Sequence, residues 1–120
     1  MNKASKNNAI LMDNLVPSEF YLSQNYPNPF KYSTKIKYCL PERTKVNLTL
    51  FSSDGKKMKE LVNEIQEAGT YKVKLNGCDL QAGDYYYRIL AVDPITGTKE
   101  LFVEMKEMIL LRENENLNKN

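Results

Sequence analysis

Tyr85 and Tyr87, in the segment DYYYR, are the side chains best placed to meet a ligand directly. At strand spacing both rings fall on one face, where they could stack on sugars or bases. The same spacing serves a core, which is the simpler reading. Glu60, Glu64 and Glu67 place carboxylates within reach of one another, but such a run usually marks a solvated face rather than an acid/base pair. Lys35, Lys37, Lys72 and Lys74 alternate with apolar residues in TKIKYCL and TYKVKL. They could hold an anion; keeping strand edges soluble is the plainer reading. Cys39 and Cys78 form neither a zinc spacing nor a CxxC motif. They are two unrelated small residues or one disulfide, and the latter needs Cα atoms within about 7 Å.

The chain has no histidine, which removes the commonest general base and the commonest neutral metal ligand. It also lacks a nucleophile elbow, a phosphate loop, HExxH and a calcium loop. No catalytic residue, metal or cofactor is expected. A net charge of +2, from 17 basic and 15 acidic residues, supplies no basic stripe for nucleic acid. No apolar run approaches the roughly 18 residues of a membrane helix. The start, MNKASKNNAILMDNLVPSEF, has only AILM as an apolar piece, short of a secretory signal. If the protein acts outside the cytoplasm, the chain is expected to be a fragment of a longer one or to be exported by other means.

The elements that must position these residues read as strands. Residues 1–18 are polar and without period, and are read as linker or disordered tail. A single domain is expected over residues 19–112, then a fraying tail over 113–120. At its start, YPNPF cannot be helix interior or central strand. Pro27 and Pro29 are expected to hold the chain extended, with Asn28 bonded to nearby backbone and Tyr26 and Phe30 packed on the core edge. TKIKYCL then alternates, with Thr34, Ile36, Tyr38 and Leu40 on one face, and Pro41 ends it. KVNLTLF alternates again and meets a turn at Asp54-Gly55. KKMKELVNEIQEAG fits a helical spacing at Met58, Leu61, Val62 and Ile65, or an irregular strand; a strand around Lys57–Leu61 is preferred because its neighbours are strands. TYKVKL places Tyr71, Val73 and Leu75 inward and ends at an Asn76-Gly77 turn. DYYYRILAV is apolar on both faces and reads as a central strand. DPITG is a turn, and TKELFVEM with KEMILL completes the run. About seven short strands without a confident helix predict an all-β, immunoglobulin-like antiparallel β-sandwich, without the Cys…Trp…Cys core of antibody domains.

The order of these motifs carries a further signal. VPSEFYLSQNYPNPF, STKIKYCLP, VNLTLFSSDGKKMKELV, EAGTYKVKLNG, LQAGDYYYRIL and KEMILLR together resemble the type A C-terminal sorting domain of the type IX secretion system. That family is related to the immunoglobulin-like domain of the flagellar hook-capping protein. The resemblance spans about Pro17 to Arg112. Pro27, Asn28, Pro29 and Phe30 match its opening motif, and Asp54 and Gly55 its hairpin turn. Ala68, Gly69 and Tyr71 match an AGxY element, and Gly83, Tyr85 and Tyr87 a GxYxY element. Lys106, Met108, Leu110 and Arg112 match the final strand, which contributes strongly to recognition in the family. Leu75-Asn76-Gly77 stands where the family usually has Trp-Asp-Gly or Trp-Asn-Gly, and VDPITGTKEL is longer than the family's connection.

The resemblance implies a non-enzymatic module at the C-terminus of a larger protein of Bacteroidota-type bacteria, secreted or held at the cell surface by way of the periplasm. Its partners would be the outer-membrane secretion machinery, a sortase-like peptidase and an N-terminal passenger. Two other readings stand beside it: a structural or adhesive module as in hook-capping proteins, and a carbohydrate-binding sandwich using Tyr85 and Tyr87.

Overall fold

The computed structural model describes residues 9–13 and 15–112. Among them are eight strands: β1 Ala9–Asp13, β2 Tyr21–Leu22, β3 Ser33–Leu40, β4 Thr44–Ser52, β5 Lys57–Gln66, β6 Gly69–Asn76, β7 Gly83–Val92 and β8 Glu100–Leu110. They form two four-stranded antiparallel sheets, ordered β1-β6-β3-β2 and β5-β4-β7-β8. The expected all-β sandwich is the observed one, with one strand more than the sequence suggests. Among the described residues no helix is long and apolar enough to cross a membrane.

Period-two alternation builds the core. In β3, Thr34, Ile36, Tyr38 and Leu40 are buried while Lys35 and Lys37 are exposed. β6 buries Tyr71, Val73 and Leu75; β7 buries Tyr85, Tyr87, Ile89 and Ala91. β4 contributes Val46, Leu48 and Leu50 from the facing sheet. Each large apolar side chain removed from water stabilises the fold by roughly 1.5–3 kcal/mol. Tyr38 lies wholly inside, stacked on Tyr71 with ring centroids 5.3 Å apart, and its hydroxyl donates to Gln66 Oε1 at 2.6 Å. That bond satisfies the one polar atom the ring carries into the core.

β5 is a strand over its whole length, longer than the preferred Lys57–Leu61. Its helix-like spacing has a local cause. Leu48 pairs with Val62 but Thr49 pairs with Glu60, so Leu61 is the extra residue of a bulge. The bulge turns Leu61 and Val62 both inward, and both are buried.

The reading of residues 1–18 as linker is corrected at Ala9–Asp13, which form β1 at a sheet edge. Ala9 pairs with Val73, Ile10 with Lys72 and Leu11 with Tyr71. Backbone bonding to β6 holds this strand, and Ile10, Leu11 and Met12 stay exposed, so its sequence shows no alternation. Residues 1–8 and the tail 113–120 lie outside the described residues.

The two cysteines are far apart. Cys39 pairs with Thr70, whereas Cys78 follows Asn76, which pairs with Ser33 at the other end of β3. Six strand residues separate those ends, about 20 Å, well beyond disulfide reach. Both thiols are free.

Candidate functional site

The opening motif is joined to the last strand. Phe30 N–H donates to Ile109 O at 2.9 Å, and Leu111 N–H donates to Phe30 O at 2.8 Å. Phe30 and Leu110 thereby form a parallel bridge, and both side chains are buried. Asn28 does not serve nearby backbone as expected: its Oδ1 accepts from Ile109 N–H at 2.9 Å, across 81 residues of sequence. Nor does Tyr26 pack on the core, being 80 % exposed. The Tyr26-Pro27 and Asn28-Pro29 bonds are both cis.

A buried polar cluster supports this segment, and sequence reasoning missed it. Asn25 donates from Nδ2 to Pro27 O at 3.0 Å and to Thr34 Oγ1 at 3.0 Å. Thr34 Oγ1 donates to the same Pro27 carbonyl at 2.7 Å. Gln24 Nε2 bridges outward, donating to Asn25 Oδ1 at 2.7 Å and to Glu107 O at 2.6 Å. Tyr87, buried in β7, donates its hydroxyl to Ser23 O at 2.7 Å. Burial pushes its phenol well above the usual tyrosine range. Of this cluster only Thr34, a polar residue on the inward face of β3, left a signal in the sequence.

Among the described residues β8 is an edge strand, paired with β7 on one side only. In an antiparallel ladder alternate residues turn both backbone groups to the same side. Ile109 and Glu107 turn theirs away from β7, toward Asn28, Phe30 and Gln24. By the same parity Met105 and Val103 turn theirs to the open edge, past the end of the clamp. Their side chains are exposed on the outer face, whereas Met108 and Leu110 point into the core. The inner side of this open half carries Phe102, stacked on Phe20 at 5.3 Å, and the Lys106–Glu104 ion pair at 3.1 Å. The last strand therefore has a covered end and a free stretch.

Gly77 shows how tight the covered end is. A Cβ there would lie 2.9 Å from Leu110 Cδ1 and 3.2 Å from Phe30 Cε2. Its requirement is close packing against the motif, beyond the turn expected at Asn76-Gly77. Gly77→Ala is expected to cost about 1–3 kcal/mol through this overlap, read as a lowered urea midpoint with an unchanged m-value. A midpoint equal to that of the parent contradicts the packing.

The other motif residues divide between the two ends of the sandwich. Asp54 and Gly55 form the β4–β5 hairpin tip, with Gly55 at φ 88°. The Asp54 carboxylate takes the Ser52 hydroxyl and Lys56 N–H, and these bonds hold it below the usual carboxylate range. Gly83 pairs with Leu110, and Tyr85 pairs with both Ser52 and Met108, so this end also holds the hairpin and Phe30. Ala68 and Gly69 lie at the opposite end, where Gly69 meets Leu40. Tyr71 donates its hydroxyl to Glu67 O at 2.8 Å. Arg112 is exposed just past β8.

The stacking platform is excluded. Tyr85 and Tyr87 are 6 % and 0 % exposed, and their hydroxyls are bonded to Gln81 O and Ser23 O. The three glutamates have separate partners: Glu60 takes Asn47, Lys57 and Asn63, Glu64 takes Gln66, and Glu67 takes Arg43. The hydrogen bond from Asn47, then that from Lys57, lowers the Glu60 carboxyl from its ordinary value.

Residues 24–104 match the family model described as secretion system C-terminal sorting domain. The matched span begins at Gln24, takes in the whole opening motif, and ends inside β8. No curated protein and no solved structure matches the chain.

Proposed function

The chain belongs to the secretion system C-terminal sorting domain family, and from that premise we propose a module without catalytic activity that carries an N-terminal passenger through the type IX system to the cell surface or exterior. The observation that carries the reading is the state of β8. Its end is held by Asn28 and Phe30, and among the described residues its preceding stretch has no backbone partner on the outer side around Val103 and Met105. Such an edge accepts an added strand from a receptor, the main-chain bonds giving affinity. The clamp makes that edge a defined length rather than a frayed terminus. The receptor is a component of the outer-membrane machinery, and the sortase-like peptidase acts after recognition.

The family match supports sorting over a structural module of the hook-capping kind. Deleting Lys106–Asn120 from a reporter fused upstream of the domain is expected to abolish export in a strain carrying the type IX machinery. Unchanged export would remove the final strand from the recognition event.

A further inference from the structure

Lys35, Lys37 and Lys72 do not protect sheet edges, and Lys74 lies one residue past the described pairing with β1. All four lie on β3 and β6, the two inner strands of their sheet. Register sets Lys35 opposite Lys74 and Lys37 opposite Lys72. Both lie at the closer kind of cross-strand position. Lys35 exchanges backbone bonds with Tyr26, and Lys37 O accepts from Ser23 N–H, so both turn their polar groups away from β6. At such sites Cα atoms are about 4.5 Å apart. Like charges directly opposite destabilise a sheet. None of the four has an ion pair among the described residues. The fold thus keeps a square of positive charge on one face at a cost to its own stability.

We infer that this face docks on an anionic, phosphate-bearing lipid surface. Two features select that occupant. Exposed amphipathic and apolar residues flank the lysines on the same face: Tyr26 opposite Lys35, Ile10 opposite Lys72, and Tyr21 opposite Cys39. Aromatic and apolar groups beside lysines suit the headgroup layer, where rings and aliphatic stems enter and ammonium groups meet phosphate. At Lys35, Lys37 and Lys72 neighbouring backbone also occupies both sides of the strand, so an acidic peptide finds no open edge to pair with there. A flat array of anions matches a flat array of cations. This surface is separate from the β8 edge and stands whether or not the domain directs export.

The test is co-sedimentation of the full chain with vesicles of phosphatidylcholine alone and with added phosphatidylglycerol, at low and physiological salt. Binding is expected only with phosphatidylglycerol, weakening as salt rises. The variant Lys35→Gln/Lys37→Gln/Lys72→Gln/Lys74→Gln should lose on the order of fivefold in affinity per lysine, with a Tm equal to or above the parent's. The corresponding Lys→Arg variant should retain binding. Equal binding to phosphatidylcholine vesicles overturns the inference. So does equal loss on neutralising Lys45, Lys57 and Lys59 of the other sheet together with Lys56 of its hairpin turn. Binding of a poly-glutamate peptide without binding to phosphatidylglycerol vesicles also overturns it.

Discussion

Phe30→Ala will destabilise the domain by about 3–5 kcal/mol, the usual cost of emptying an aromatic site in a core. The ring is 2 % exposed and meets the space beside Gly77 and Leu110. Its backbone forms two of the bonds that hold the end of β8. The ring cannot be lost without loosening that anchorage. Urea unfolding should show the drop, and hydrogen exchange should show where it acts. The Ile109 and Leu111 amides, bonded to Asn28 Oδ1 and Phe30 O, should exchange faster than amides between β4 and β7. Phe30→Leu keeps most of the volume and should cost under about 1.5 kcal/mol. A loss below about 1 kcal/mol for the alanine variant, or uniform exchange, contradicts the clamp.

The second large effect is alkaline. Burial raises the phenols of Tyr38, Tyr87 and, less deeply placed, Tyr71 above their ordinary range. The folded state therefore keeps these protons more tightly than the unfolded chain does. Their contribution is intact below about pH 10, the unfolded tyrosine value, and is lost as pH rises above it. Circular dichroism against pH should show cooperative unfolding in that range, with the phenolate absorbance of the buried tyrosines appearing together with it. Tyr87→Phe tests the assignment. At pH 7 it should cost about 1 kcal/mol, for the lost bond to Ser23 O. Its alkaline midpoint should nevertheless rise, because one titrating group is gone. Phenolate absorbance preceding unfolding would contradict the burial.

The parts legible in the sequence are those where one strand buries one face. TKIKYCL and TYKVKL disclose their inward residues because β3 and β6 follow period two without interruption. β5 defeats the same reading because its bulge places Leu61 and Val62 inward together. β1 defeats it because an edge strand held by backbone bonds exposes Ile10, Leu11 and Met12. YPNPF shows its irregularity through its prolines, yet its partner is invisible: Phe30 meets Ile109 and Leu111 through main-chain atoms, which leave no mark on residue type, and the Asn28 side chain bonds the Ile109 main-chain N–H, which any residue there would offer. The lysine square was visible as alternation along each strand. Only register revealed that the charges face one another.

The proposed function rests on the open stretch of β8 as the recognised element. Met105→Pro tests it most directly. Proline is tolerated on an edge strand where its missing N–H would have faced outward, and Met105 turns its backbone away from β7. The variant should keep the parent Tm within a few degrees while export of a fused reporter falls to the level of the Lys106–Asn120 deletion. Export at the parent level, from a folded Met105→Pro domain, would contradict recognition by strand addition at β8.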